Sequence, residues 1–264
     1  MLSTDVIYRC DALKGCYKEL EVFLCVNVKS CEVMVCCFLC VCLISIVVEI
    51  TTVQTQRMVR DIVFLVDGSS YTETNFRYVQ EFIAEVVNRL DVRPDRVQIG
   101  LMQFAENPKI EFYLNTFSSK QDVLNSVSQL RGVGGSVLNT GAAMDYALAN
   151  MFQVSAGSRK RQGVQQVLVL VTGGPSQDQV KRIADKVALA GVLTFTVSSG
   201  QADSSLMKTV AFVPNLAYHE SSWTGLANVV GEIMTPLITV VGDTDVTQGQ
   251  GEVIEEGEFR DCFL

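Results

Sequence analysis

The chain has 264 residues, is 48% hydrophobic and 19% charged, and carries a formal net charge of −8. Apolar content of that order supports a packed core and argues against a disordered chain. The charge is uneven. Between Gly242 and Leu264 about seven acidic residues meet a single arginine, so the rest of the chain is nearly balanced. A near-neutral body with an acidic end argues against a nucleic-acid partner, which would select a basic face.

Eight of the nine cysteines fall between Cys10 and Cys42, and the ninth is Cys262. Region 1–58 therefore reads as a cysteine-rich hydrophobic segment. Within it, Val33 to Val48 is apolar except for Ser45. That run is shorter than the roughly 18–20 residues of a spanning helix, so it reads as a signal, an anchor or a mis-assigned exon. Membrane contact, if there is any, is expected through 33–48. Cys37 and Cys40 have zinc-knuckle spacing, but no second pair accompanies them and their neighbours are apolar, which argues against a metal site.

From Asp61 the pattern becomes regular. "DIVFLVDGSS" is a continuous apolar strand ending in a polar turn. Phe76, Val79, Ile83, Val86, Val87 and Leu90 then recur at helical spacing, and Pro94 stops that helix. "RVQIGLMQFA" and "KIEFYLN" read as a hairpin of two strands. Helices follow at Lys120 to Leu130 and Thr140 to Phe152. "QQVLVLVTGG" and "GVLTFTVSSG" are further buried strands, with a helix over Val180 to Ala190 between them. A helix near Ser204 to Phe212, a weak strand at Ala217 to Glu220 and a helix from about Thr224 to Met234 complete the body. Alternating strands and helices imply an α/β fold with a mostly parallel sheet covered on both faces. The order of the strands is not determined by this pattern. Region 242–264 reads as an acidic flexible tail, too poor in large apolar side chains to offset its ordering entropy.

Three turns carry polar or glycine-rich sequence at strand or helix boundaries: "DGSSY" (Asp67 to Tyr71), "GGSVLNTGAAM" (Gly134 to Met144) and "TGGPS" (Thr172 to Ser176). In open α/β sheets, ligands sit beyond the carboxyl ends of the strands. If the first and fourth strands are neighbours, these turns meet there.

With "DIVFLVDGSS", "NTGAAMDYAL" and "GSRKRQGVQQVLVLVTGGPSQDQV" in order, Asp61 to about Val241 resembles a von Willebrand factor type A domain. The resemblance is closest to the A-type modules at the amino-terminal end of the long type VI collagen chains. It implies a doubly wound, six-stranded sheet over 59–241, mostly parallel, with helices on both faces and one antiparallel edge strand. It also implies a non-enzymatic, secreted extracellular-matrix interaction module whose partners are matrix proteins such as collagens or other A domains. Many members of that family bind a divalent metal through Asp-x-Ser-x-Ser, a threonine and an aspartate in the three turns. Here Asp67 and Ser69 match. Tyr71 stands at the second serine position, Leu138 at the threonine and Gly173 at the aspartate. One carboxylate and one hydroxyl are too few to replace the hydration of Mg²⁺. The expectation is therefore a vestigial metal site at Asp67 and Ser69, no cofactor, and a partner-binding rim at Asp67, Ser69, Tyr71, Leu138 and Gly173. Returning Asp, Thr and Ser at 173, 138 and 71 is expected to restore metal binding.

Asp178, five residues beyond Gly173, reads as a first-turn helix residue. "GSRKRQG" reads as a solvated basic loop, with contact to acidic partners or glycosaminoglycans as its alternative. "RGVGGS" lacks the spacing of a nucleotide loop. His219, the only histidine, would need a nucleophile and an orienting acid to serve a small α/β hydrolytic enzyme. Trp223 is expected to pack the last helix. A membrane-tethered A-domain receptor is the other alternative.

Overall fold

The computed structural model describes residues 58–239. Region 33–48, the cysteines and the 242–264 tail lie outside the described residues. Among the described residues, no helix is long and apolar enough to cross a membrane.

Six strands form one sheet: β1 (Arg60–Asp67), β2 (Val97–Phe104), β3 (Pro108–Phe112), β4 (Gln165–Thr172), β5 (Val192–Ser198) and β6 (Ala217–His219). Their order is β3-β2-β1-β4-β5-β6. All pairings are parallel except β2–β3, which is the antiparallel edge. All eight residues of β1 are buried, and seven of the eight in β4. Central parallel strands lie between two layers of helices, so both of their faces must be apolar. Pro108 begins β3, where an edge strand tolerates the missing N–H.

Helices α1 (Phe76–Arg89), α2 (Lys120–Gln129) and α6 (Leu226–Thr239) pack on one face. Val79, Ile83 and Val86 of α1 meet Ile62, Phe64 and Val66 in that core. Helices α3 (Thr140–Asn150), α4 (Lys181–Leu189) and α5 (Ser204–Val210) cover the other face, where Met144, Val187 and Met207 meet Val63, Leu65 and Leu168. The alternation along β1 thus splits its apolar side chains between two cores. Ser119 caps α2, accepting from the Asp122 amide, and Asp203 caps α5 through the Ser205 and Leu206 amides. A 3₁₀ turn, Trp223–Gly225, leads into α6.

The strand order places β1 and β4 side by side, with Val66 opposite Val171. The first and third polar turns therefore leave the sheet next to each other, which the periodic pattern alone left open.

Candidate functional site: a closed crevice at the carboxyl edge of the sheet

The three turns converge. The Gly173 amide donates to Asp67 Oδ2 at 2.9 Å, joining the third turn to the first. The Ser70 amide donates to the Gly135 carbonyl, and Gly134 to that of Gly68, joining the first to the second. The Gln177 amide donates to the Leu138 carbonyl, joining the third to the second.

Asp67 is the centre of this junction and is fully buried. Its Oδ1 accepts from the Ser69 amide at 2.9 Å and the Ser69 hydroxyl at 2.6 Å. Its Oδ2 accepts from the Gly173 amide and, at 3.2 Å, from the Thr172 hydroxyl. Four donors match the roughly four lone-pair sites of a carboxylate. Among the described ion pairs, none involves Asp67. Thr72 braces the turn from below, its hydroxyl donating to the carbonyls of Asp67 and Ser69.

Two aromatic rings cover the third turn. A methyl group on Gly173 would lie 2.5 Å from Cζ2 and 2.7 Å from Cη2 of Trp223. One on Gly174 would lie 2.5 Å from Cγ and Cδ2 of Tyr71. Both are contacts that real side chains do not make, so glycine at these positions is a consequence of ring placement. Trp223 shares a core cluster with Leu226, Val229 and Val230 of the last helix, as expected, but its ring also reaches back to the position where the family's aspartate would start.

The donor set therefore does not fit a hard divalent ion, which wants several free oxygens around one point. Every lone pair of Asp67 faces a protein donor. Leu138 is fully buried and belongs to the apolar core beside α3, α4 and α5. Trp223 fills the space beside Gly173. Among the described residues, no group of three or more His, Cys, Asp or Glu side chains is placed to hold a metal. The same crowding corrects the expected rebuilding: a carboxylate placed at 173 has nowhere to go while Trp223 stays.

Of the five rim residues, Asp67, Ser69, Leu138 and Gly173 are buried, and only Tyr71 is partly exposed. They come together as the floor of the site, and the surface above them is formed by Tyr71 and by exposed neighbours such as Ser70, Gly135 and Pro175.

Two further positions, Asp178 and Arg159, differ from expectation, and His219 stands at the exposed end of β6. Asp178 is not in a helix; it precedes α4 and caps α3 from outside. Its carboxylate accepts from the Gly141 amide at 2.9 Å and the Ala142 amide at 2.7 Å, and Ser176 donates to it at 2.7 Å. A free helix N-terminus attracts a carboxylate whichever part of the chain supplies it. Arg159, read as part of a solvated loop, is buried at the opposite end of the sheet, where it pairs with Asp61 at 2.7 Å. His219 lies 3.0 Å from Ser198 through Nδ1, but Ser198 is only 1% exposed and also bonds the Tyr218 carbonyl, so the hydroxyl is not presented to a substrate. Neither Asp178 nor Arg159 left a local signal, because each finds its partner far along the chain. The one available hint was charge: an arginine in a short loop bounded by Gly157 and Gly163 and an isolated aspartate in polar loop sequence.

The fold, the strand order and the three-turn crevice define an A-type domain. A family model for the von Willebrand factor type A domain matches residues 61–232, and the chain belongs to that family. It is 34% identical over 182 residues to the collagen alpha-1(XII) chain of Notophthalmus viridescens, covering 68% of this chain and 19% of that one. It is 40% identical over 156 residues to the mouse collagen alpha-4(VI) chain, covering 58% and 7%. It is 36% identical over 155 residues to human matrilin-1, covering 58% and 31%. The chain thus spans less than a third of the length of these relatives. Among solved structures it is similar to proximal thread matrix protein 1 of the mussel byssus, at a TM-score of 0.64 and 21% identity, covering 67% of this chain and 47% of that one. That structure is described as having a zinc-occupied metal-site motif; at this identity the likeness speaks for the fold alone.

Proposed function

We propose that this protein is a non-enzymatic, secreted extracellular-matrix interaction module whose crevice works without a metal ion. Its partners are matrix proteins such as collagens or other A domains. The relatives support the setting, since they are collagens and matrilins. The observation that carries the metal-independent part is the cover over the third turn: Trp223 stands against Gly173 and Tyr71 against Gly174, above a carboxylate whose oxygens are all engaged.

In this reading Asp67 has changed its task. In a metal site a carboxylate on β1 binds an ion that also binds the other turns. Here the carboxylate ties the first turn to the third directly, and Tyr71 presents the surface. Asp67, Ser69, Leu138 and Gly173 act from beneath by keeping that surface in one shape. Fixed surfaces lose less entropy on binding than mobile ones.

The test is a pull-down from matrix extract with and without a chelator, repeated with Tyr71→Ser. Capture that survives chelation and falls with the Tyr71 variant supports the reading. Capture abolished by chelator alone overturns the metal-independent part of it.

A further inference from the structure

Trp223 leaves the crevice one hydrogen-bond donor without a partner. Its indole turns the edge that carries the N–H toward two glycines. Cζ2 and Cη2 stand against Gly173, and a methyl group on Gly200 would lie 3.4 Å from Nε1. Gly200 is fixed beside the third turn, since the next amide, that of Gln201, donates to the Gly173 carbonyl at 2.9 Å. Gly200 is exposed and holds φ at +65°, a conformation that suits glycine, so no side chain covers the N–H from that side. Trp223 is only 8% exposed. Its N–H nevertheless meets no acceptor among the described residues, and it is not sealed from solvent. Buried indole N–H groups usually find a partner. Here the ring is fixed by the core cluster it shares with Leu226 and Val230, while its donor is left at the surface.

An indole N–H can only donate, so its ligand must carry an acceptor. The charges around it decide which kind. Asp67 lies beneath the third turn, bonded to the Gly173 amide. Glu73 follows Thr72, whose Cγ2 would lie 3.1 Å from a methyl group on Gly173, and the Glu220 carboxylate packs against Gly225 in the same 3₁₀ turn as Trp223. No ion pair among the described residues neutralises Asp67, Glu73 or Glu220. Residues 67–75, 172–180, 198–204 and 219–226 contain no lysine or arginine. Arg131, beside the second turn, bends back to the Leu130 carbonyl at 2.8 Å. A carboxylate would therefore enter against like charge, whereas an amide carbonyl accepts without carrying any. We propose that Trp223 is a ligand-binding residue of the crevice, donating its N–H to an amide carbonyl in an uncharged peptide segment of the partner. This rests on the metal-independent reading of the crevice and adds what that crevice selects.

The test uses the full chain labelled with heavy nitrogen for NMR. Trp223 is its only tryptophan, so a single indole N–H resonance reports on the site. The probes are a synthetic peptide of repeating Gly, Ser and Gln and its counterpart with Glu for Gln, both with blocked ends and with chelator present. The neutral peptide should move the resonance downfield and saturably, and the acidic one should bind more weakly. Trp223→Phe keeps an aromatic ring and removes the donor. Anisotropy of the fluorescent neutral peptide should then show binding weakened about fivefold, the usual worth of one hydrogen bond. Gly200→Asn should weaken it as well, because asparagine tolerates a left-handed backbone and its side chain would stand over the N–H. Melting temperatures near that of wild type would show that both variants are folded. An indole resonance unmoved by the neutral peptide at millimolar concentration overturns the proposal, as does equal binding of the acidic peptide. Neutral-peptide binding that survives chelator and falls in Tyr71→Ser, yet is unchanged in Trp223→Phe, overturns this assignment and leaves the metal-independent crevice standing. Binding that appears only with Mg²⁺ overturns both.

Discussion

The two ends of β1 each bury an aspartate, and the two are held in opposite ways. Asp61, at the amino end, meets a cation. Arg159 donates to it through its backbone amide at 2.6 Å and through Nε at 2.8 Å, and the Gln166 side chain adds a third donor at 2.7 Å. The rest of the guanidinium bonds the carbonyls of Arg60, Pro94 and Arg96. Asp67, at the carboxyl end, meets only neutral donors. Both carboxylates are fully buried. One end is therefore a charge pair that clasps the strand starts together. The other is an anion solvated by hydroxyls and amides, as water would solvate it. The difference shows that a buried charge can be satisfied without a counter-charge when its lone pairs are all met. The carboxyl end of β1 is held by hydrogen bonds from neutral donors in the first and third turns.

The largest expected effect breaks the clasp. Arg159→Ala leaves Asp61 buried without its cation and frees three backbone carbonyls. Breaking a buried pair by removing one partner costs about 3–5 kcal/mol. Urea unfolding should show the loss as a lower midpoint at unchanged slope. Arg159→Lys should recover only part of it, because an ammonium cannot supply the fork of donors that reaches Asp61 and the carbonyls together. Full recovery by lysine would mean that charge alone holds this end.

Asp67→Asn probes the other end and is expected to cost less, about 1–3 kcal/mol for a buried group left unsatisfied. One side-chain oxygen remains, but the new amide N–H groups must face either the Gly173 amide or the Ser69 amide. Either orientation sets donor against donor. The same urea experiment measures it, and a neutral outcome would show that the turns can relax around the new amide.

These two ends were unequally legible in the sequence. Strand and helix identity followed from periodicity, and the helix ends moved by only a few residues. The last helix runs on to Thr239 rather than stopping near Met234, carrying Pro236 inside it. Strand order was not legible, since it depends on pairings such as Val66 with Val171 that lie far apart in the chain. The three turns were legible because glycine and polar residues at strand ends have few other uses. Their closure was not, because Trp223 lies fifty residues beyond the glycine it covers. Arg159 was hidden by its neighbours: Lys160 and Arg161 are exposed, and three adjacent cations read as one solvated loop until the fold turns the first of them inward.

A smaller effect is expected where the second and third turns meet. Asp178→Ala removes the carboxylate that caps α3 across the loop. Loss of a helix cap costs typically about 1 kcal/mol. Hydrogen exchange should localise the change to the first turn of α3, at Gly141 and Ala142, and leave the Asp61–Arg159 end unaltered. Exchange that quickens equally at both ends would mean that the two ends unfold as one unit and that the contrast between them has no local energetic meaning.

The smallest expected effect is that of Mg²⁺ on the wild-type protein, and it is set by the same geometry. A ligand that binds only the folded state stabilises it by RT ln(1 + [L]/Kd), about 2.7 kcal/mol at a hundredfold excess over Kd. To gain that here, the ion would have to displace protein donors from Asp67 and lose its own water for a single carboxylate. Thermal melts with millimolar Mg²⁺ and with a chelator should therefore superimpose. The triple change Gly173→Asp, Leu138→Thr and Tyr71→Ser returns the oxygens but not the room, since the new Cβ would sit 2.5 Å from the Trp223 ring. Overpacking of that kind costs about 1–3 kcal/mol. The triple variant should melt lower and remain insensitive to metal. Adding Trp223→Ala opens the space, and only then should Mg²⁺ raise the melting temperature and chelator reverse it. If the wild-type melt already responds to metal, Asp67 can release its four donors at little cost, and the carboxyl end of β1 is a working metal site that closes when the ion leaves.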